Sequence, residues 1–120
     1  MNEMGEEHKL AELARLFKLL GDGNRLRILF TLGGRERSVS EVIEATALPQ
    51  SLVSFHLGVL REAGLVAADR RGAFVYYRLT YPELLERMRG LEPYAPAKLG
   101  KPPYLARPPF PCPPWSRRRS

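Results

Sequence analysis

The side chains best placed for chemistry lie in one stretch, Pro49-Gln-Ser-Leu-Val-Ser-Phe-His-Leu-Gly-Val-Leu-Arg-Glu-Ala63. On a helix turning about 100° per residue, Val53, Leu57, Leu60 and Gly64 fall together as a stripe facing a core. Ser51, Phe55, Gly58 and Glu62 fall on the opposite side, with Ser54 beside them. A surface helix ordinarily fills that side with charge. Small groups instead let a backbone approach a nucleic-acid groove closely, and hydroxyls bond to base edges or phosphates. The free amides and partial positive charge of a helix N-terminus also suit phosphate. Gln50 either hydrogen-bonds to a base or caps the helix. Phe55 either touches a thymine methyl or packs against a neighbouring element. His56 lies toward the core flank and reads as a packed histidine. Arg70 and Arg71 stand at the tip of a following hairpin, where they reach phosphates or a minor groove, or simply solvate a turn. Alone, Ser51 and Ser54 would read as a solvated face; the hairpin downstream tips them toward DNA.

Positioning these groups takes several elements. Leu10, Leu13, Ala14, Phe17 and Leu20 recur at helical spacing until Gly21-Asp22-Gly23 stops the run. Asp22 starts a second helix that buries Leu26, Ile28, Leu29 and Leu32 and ends at Gly33-Gly34. Ser38-Val-Ser-Glu41 is a capping box opening a short third helix that carries Val42, Ile43 and Ala45 and yields to Leu48-Pro49. The fourth helix spans about 49–63, with Pro49 at its first position, where a missing amide costs nothing. Leu65–Asp69 and Phe74–Leu79 are extended runs around Arg70-Arg71-Gly72, hence a β-hairpin. Pro82–Leu91 is a last helix with Leu84, Leu85, Met88 and Leu91 apolar. The expected class is α+β, mainly helical, in the order ααααββα: a winged helix-turn-helix.

Charge divides the chain differently. Residues 1–92 carry 13 basic and 13 acidic side chains, whereas 93–120 carry six basic and no acidic ones. The net charge of +6 is thus a property of the tail, and the folded part must bind nucleic acid by local pattern. Nine of the last 28 residues are proline, which predicts an extended or disordered tail; Tyr94, Tyr104, Phe110 and Trp115 suggest that it also packs along the domain. The division expected is a domain over 1–92 and a proline-rich basic tail over 93–120. Cys112 is the sole cysteine, so no intrachain disulfide forms, and there is neither a membrane span nor a signal-peptide pattern. A cytoplasmic location is expected. No paired carboxylates, nucleotide loop or Ser-His or Cys-His constellation points to an enzyme.

Three segments resemble the ArsR/SmtB family of bacterial and archaeal repressors. Leu19-Leu-Gly-Asp-Gly-Asn-Arg-Leu-Arg-Ile-Leu29 is similar to the opening of its second helix, Pro49–Val66 to its recognition helix and exit, and Arg70–Leu79 to its wing. The resemblance covers about residues 8–91. It implies a homodimer held by the first and last helices, with Leu13, Phe17, Leu84, Leu85 and Met88 as candidate dimer contacts. It further implies paired recognition helices on an inverted-repeat operator in double-stranded DNA, released by a signal. Gln50, Ser51, Ser54 and Phe55 match positions that the family turns toward DNA. Phe55 stands where histidine or arginine is common, and Gly58 where lysine or arginine is common. Metal-sensing members carry Cys-Val-Cys where this chain has Ser38-Val39-Ser40, and Pro82–Leu91 lacks the histidine that others use. No metal or other cofactor is therefore expected, and no pattern specifies the inducer. The competing expectations are a protein–protein adaptor using Phe55 and the tail, and an RNA-binding protein using the tail arginines.

Overall fold

The computed structural model describes residues 3–96, with side chains from Gly5 onward. Helix α1 (Glu3–Leu20) leads into α2 (Gly23–Leu32), a two-residue strand β1 (Arg37–Ser38), α3 (Val39–Thr46) and α4 (Gln50–Glu62). Strands β2 (Val66–Arg71) and β3 (Phe74–Leu79) form the wing, and α5 (Glu83–Arg89) is followed by a 3₁₀ turn, Glu92–Tyr94. This is the expected winged helix-turn-helix with one strand added. β1 pairs antiparallel with β3 through Arg37 opposite Tyr77 and Ser38 opposite Tyr76, giving the sheet order β1-β3-β2. Two residues are too short to show a period-2 pattern, which is why the strand is invisible in the sequence.

The core is built where α2, α3 and α4 meet the base of the wing. Ile28, Leu29 and Leu32 of α2, Val42 of α3, and Val53, Leu57 and Leu60 of α4 are fully buried. Val66 and Leu79 close it from β2 and β3. The helix ends follow local chemistry. Asp22 accepts hydrogen bonds from the amides of Asn24 at 2.9 Å and Arg25 at 3.1 Å, so its carboxylate caps α2. The capping box is formed as expected: the Ser38 amide donates to Glu41 Oε1 at 2.8 Å, and the Glu41 amide donates to Ser38 Oγ at 3.2 Å.

Several local expectations shift. Pro49 stands at the N-cap of α4, one residue earlier than expected, with its carbonyl accepting from Leu52 and Val53. The buried positions of α3 are Val42 and Thr46, and Ala45 is exposed. Gly64 is not part of the core stripe; it is exposed at φ +81°, where the Leu65 amide donates to Leu60 and its own amide donates to Arg61. Those two bonds end the helix in a left-handed turn that glycine adopts without strain. Arg70 and Arg71 lie inside β2 rather than in the turn, because Arg71 pairs with Phe74 and leaves Gly72-Ala73 as the two-residue loop. Gly72 at φ +63° makes that tight loop possible. The last helix is shorter than 82–91, and the 3₁₀ turn straddles the boundary drawn at residue 92. From residue 97 onward the tail, including Cys112 and the terminal arginines, lies outside the described residues. No helix among the described residues is long and apolar enough to cross a membrane.

Candidate nucleic-acid interface

The outward face of α4 is the one the residue pattern marked. Gln50, Ser51, Ser54, Phe55 and Gly58 are all exposed, while Leu52, Val53, His56, Leu57 and Leu60 are buried beneath them. Phe55 is 56% exposed, with its ring edge-to-face against His56 at 5.3 Å. Gly58 has open space where a Cβ would stand, so nothing inside the protein requires a glycine there. Ser54, Phe55 and Gly58 continue with Val59, Arg61 and Glu62 around a shallow recess of about 830 Å³.

Two buried polar clusters hold this helix in place. His56, 4% exposed, accepts a hydrogen bond at Nδ1 from Arg25 Nε at 3.2 Å, and its Nε2 lies 3.8 Å from Asp22 Oδ1. Arg25 also donates from Nη1 to the Leu19 carbonyl at 3.2 Å. One guanidinium thus joins the end of α1, the start of α2 and the middle of α4. Burial holds the His56 pKa below its ordinary value, and the Arg25 charge lowers it further against the opposing pull of Asp22. The imidazole is neutral near pH 7, as an Nδ1 acceptor must be. The second cluster is the turn between α3 and α4. The buried Thr46 hydroxyl donates to the Val42 carbonyl at 2.7 Å and accepts from the Leu48 amide at 3.3 Å. Ala47 follows in the left-handed region at φ 60°, its amide donating to Ile43 at 2.8 Å. That conformation is unusual for a residue with a Cβ and marks a turn over-determined by its surroundings.

His56 was expected to be packed, but its partners were not foreseen. Asp22 was read only as a cap, and Arg25 was given no role of its own. The available signal was chemical: a histidine on a buried flank needs partners for both ring nitrogens. Thr46 left a weaker trace, since threonine near a helix end often bonds backward along the helix.

The wing is partly engaged already. Arg70 is exposed, whereas the Arg71 guanidinium meets Glu36 Oε2 at 2.7 Å and Asp69 Oδ2 at 3.0 Å and lies 5.0 Å from the Tyr76 ring centroid. On α1 and α5 the candidate dimer residues differ among themselves. Leu13 and Phe17 are 46% and 51% exposed, while Leu84, Leu85 and Met88 are half-buried against the core of their own chain. Leu16, Phe17, Leu20, Leu84, Met88 and Leu91 line a groove of about 550 Å³ between α1 and α5. The Ser38 hydroxyl is buried and committed to capping α3, which does not suit it as a metal ligand. Among the described residues no three His, Cys, Asp or Glu side chains converge on a common point.

Comparison with known proteins places this geometry. The family model for bacterial regulatory proteins of the arsR family matches residues 22–68, from the cap of α2 into β2. The biofilm growth-associated repressor of Xylella fastidiosa is 35% identical over 85 residues, covering 71% of this chain and 75% of that protein. The chain belongs to the arsR family. Another relative, the HTH-type transcriptional regulator KmtR of Mycobacterium tuberculosis, is 40% identical over 67 residues, or 56% of this chain and 52% of KmtR. Over further mycobacterial regulators the match spans between 31% and 65% of their length. Among solved structures, the homodimeric winged helix-turn-helix DNA-binding domain of Mb0332 from Mycobacterium bovis superposes with a TM-score of 0.66 at 30% identity, covering 79% of this chain and 88% of that one. These arsR-family relatives carry the names of regulators and repressors, which favours the DNA-regulator expectation over the adaptor and RNA-binding ones. The matched segment runs through Asp22, Arg25, Thr46 and His56 as well as the whole of α4.

Proposed function

We propose that this chain is a transcriptional repressor that binds double-stranded DNA sequence-specifically as a homodimer, in the cytoplasm and with no catalytic step. The observation that carries the reading is the outward face of α4: exposed hydroxyls, an amide, a phenyl ring and a glycine on a helix clamped from beneath. In the major groove, Gln50, Ser51 and Ser54 supply hydrogen bonds to base edges or phosphates, and Phe55 supplies an apolar surface suited to a thymine methyl. Gly58 lets the backbone come close. Arg70, exposed on the wing, contacts the adjacent phosphate backbone. The exposed Leu13 and Phe17, the latter lining the groove with Leu84 and Met88, supply the apolar contact between two copies, with Leu85 packed against the core of its own chain. No metal enters this reading, because Ser38 spends its hydroxyl on the cap.

The test is a mobility-shift titration of the full chain against duplex DNA from its own upstream region, in excess unrelated duplex. A complex of two chains per duplex that survives the competitor is expected. A complex lost to an equal mass of unrelated duplex, or none at all, overturns the reading.

A further inference from the structure

Arg71 was singled out in the sequence as a wing-tip cation suited to phosphate, and its surroundings argue for different work. Its Nη2 contacts Glu36 Oε2 at 2.7 Å and Asp69 Oδ2 at 3.0 Å, and Nε donates to Asp69 Oδ2 at 3.1 Å. The guanidinium carbon lies over the Tyr76 ring, 5.0 Å from its centroid. Asp69 and Arg71 are two apart on β2 and so share one face of the sheet, and Tyr76 is the cross-strand partner of Asp69. Glu36 comes from the opposite edge, in the loop between α2 and β1. One guanidinium facing two carboxylates is already fully paired, so Arg71 does not offer a phosphate the unengaged cation that its sequence position suggests.

The wing needs such a tie. Its base is anchored by Val66 and Leu79 in the core, but Arg70 to Phe74 are all exposed. A two-stranded hairpin beyond the core is marginally stable in water, and β1 adds only two residues of pairing. The Arg71–Glu36 contact joins that distal half to the loop leaving α2, the helix on which α4 is clamped.

We infer that Arg71 is a positioning residue for DNA binding: a strut that, with Glu36, Asp69 and Tyr76, sets the angle of the wing relative to α4. Arg70 is then the cation of the pair that meets the phosphate backbone. The inference rests on the DNA-binding reading above. It separates from the phosphate alternative because the two give opposite signs at Glu36. Glu36→Ala removes a negative charge near the wing, which strengthens DNA binding if Arg71 is thereby released to a phosphate. It weakens binding if the carboxylate is half of a strut. Arg71→Lys keeps the charge but loses the planar fork, so a phosphate contact largely survives and a two-carboxylate clamp does not.

The experiment has two arms on the full-length chain. Without DNA, amide hydrogen exchange is followed at Arg70–Phe74 in the wild type, E36A and R71K. Faster exchange in both variants, with α2 and α4 unchanged, is expected of a strut. With DNA, affinity for the upstream duplex is measured across a salt series in the wild type, E36A, R71K and R71Q. All three variants are expected to bind about two- to fivefold more weakly, the range of an exposed ion pair, with the wild-type salt slope retained. Tighter binding by E36A, a slope about 0.9 lower in R71Q, or wing exchange identical to wild type overturns the inference. If the wild type binds no duplex at all, the DNA-binding reading fails, and the exchange arm alone decides whether Arg71 braces the wing.

Discussion

Two phenylalanines of this chain are exposed to nearly the same extent, 56% at Phe55 and 51% at Phe17, yet they stand in opposite surroundings. Phe55 projects from α4 among Ser51, Ser54 and Gly58, and the helix beneath it is held by the Arg25–His56 bond and the Thr46 turn. Phe17 projects from α1 with Leu13 and Leu10 one and two turns behind it, beside an apolar groove shared with α5. Roughly 27 Å of helix in α1 docks on its own core through its C-terminal end, where Leu16, Leu19 and Leu20 pack. A lone aromatic among small polar groups over a rigid floor fits a groove of mixed polarity such as DNA presents. An aromatic in a continuous apolar stripe, on a helix that leaves much of that stripe uncovered, fits a second apolar surface. The same residue type thus marks a finished face on one side and a half-finished one on the other.

One truncation in each region sharpens the contrast. Leu57→Ala removes a fully buried side chain of α4 and is expected to cost about 2–5 kcal/mol at any protein concentration. Phe17→Ala touches a side chain half-exposed in a single chain, so its cost is expected to appear only where two chains pair. Chemical denaturation at low and high protein concentration, with sedimentation alongside, distinguishes them. Equal loss for Phe17→Ala at every concentration would break the comparison, because Phe17 would then be finished within one chain.

Gly58 offers a smaller effect with a split sign. A Cβ there meets open space, and alanine is the better helix former, so Gly58→Ala is expected to raise stability by up to about 1 kcal/mol. Because the same methyl stands on the outward face of α4, DNA affinity is expected to fall. Thermal melting and DNA titration of one preparation give both signs. A variant that melts higher and binds equally well shows that the backbone of α4 does not approach the groove closely.

The pH dependence of stability reports on the floor under Phe55. The folded-state pKa of His56 is lowered by burial and by Arg25, so above the ordinary histidine value of about 6.5 the neutral ring favours the fold in full. As pH falls below that value the unfolded chain takes up the proton first. Stability therefore declines down to the lowered folded-state pKa and levels off beneath it. His56→Gln removes the titrating ring and is expected to flatten this part of the melting-temperature profile between pH 7.5 and 5. An unchanged slope would place the titration elsewhere.

How much of this was legible in the sequence depended on whether a feature is local. The caps at Asp22 and Ser38 and the outward set on α4 are written in spacings of two to four residues, and they stand as read. Gly64 was misplaced because helical periodicity continues past the residue that ends the helix, and only its backbone angle reveals the left-handed turn. Arg71 was legible as a wing cation but not as an engaged one. Its partner Glu36 lies 35 positions away, and a contact of that range leaves no local mark. β1 was lost for the same reason: its two residues are a strand only because β3 runs beside them.

The most direct test of α4 as the reading element is a fluorescence-anisotropy titration of wild type, Ser54→Ala and Phe55→Ala against the upstream duplex and a scrambled duplex of the same length. Both side chains are exposed, and Phe55 has an edge-to-face contact with His56, so melting temperatures should change little and sedimentation should match the wild type. Each substitution is expected to weaken binding to the upstream duplex by about 1–3 kcal/mol while leaving the scrambled duplex nearly unaffected, because base contacts specify and backbone contacts do not. Equal weakening on both duplexes, or no change on either, would contradict sequence reading by this face of α4.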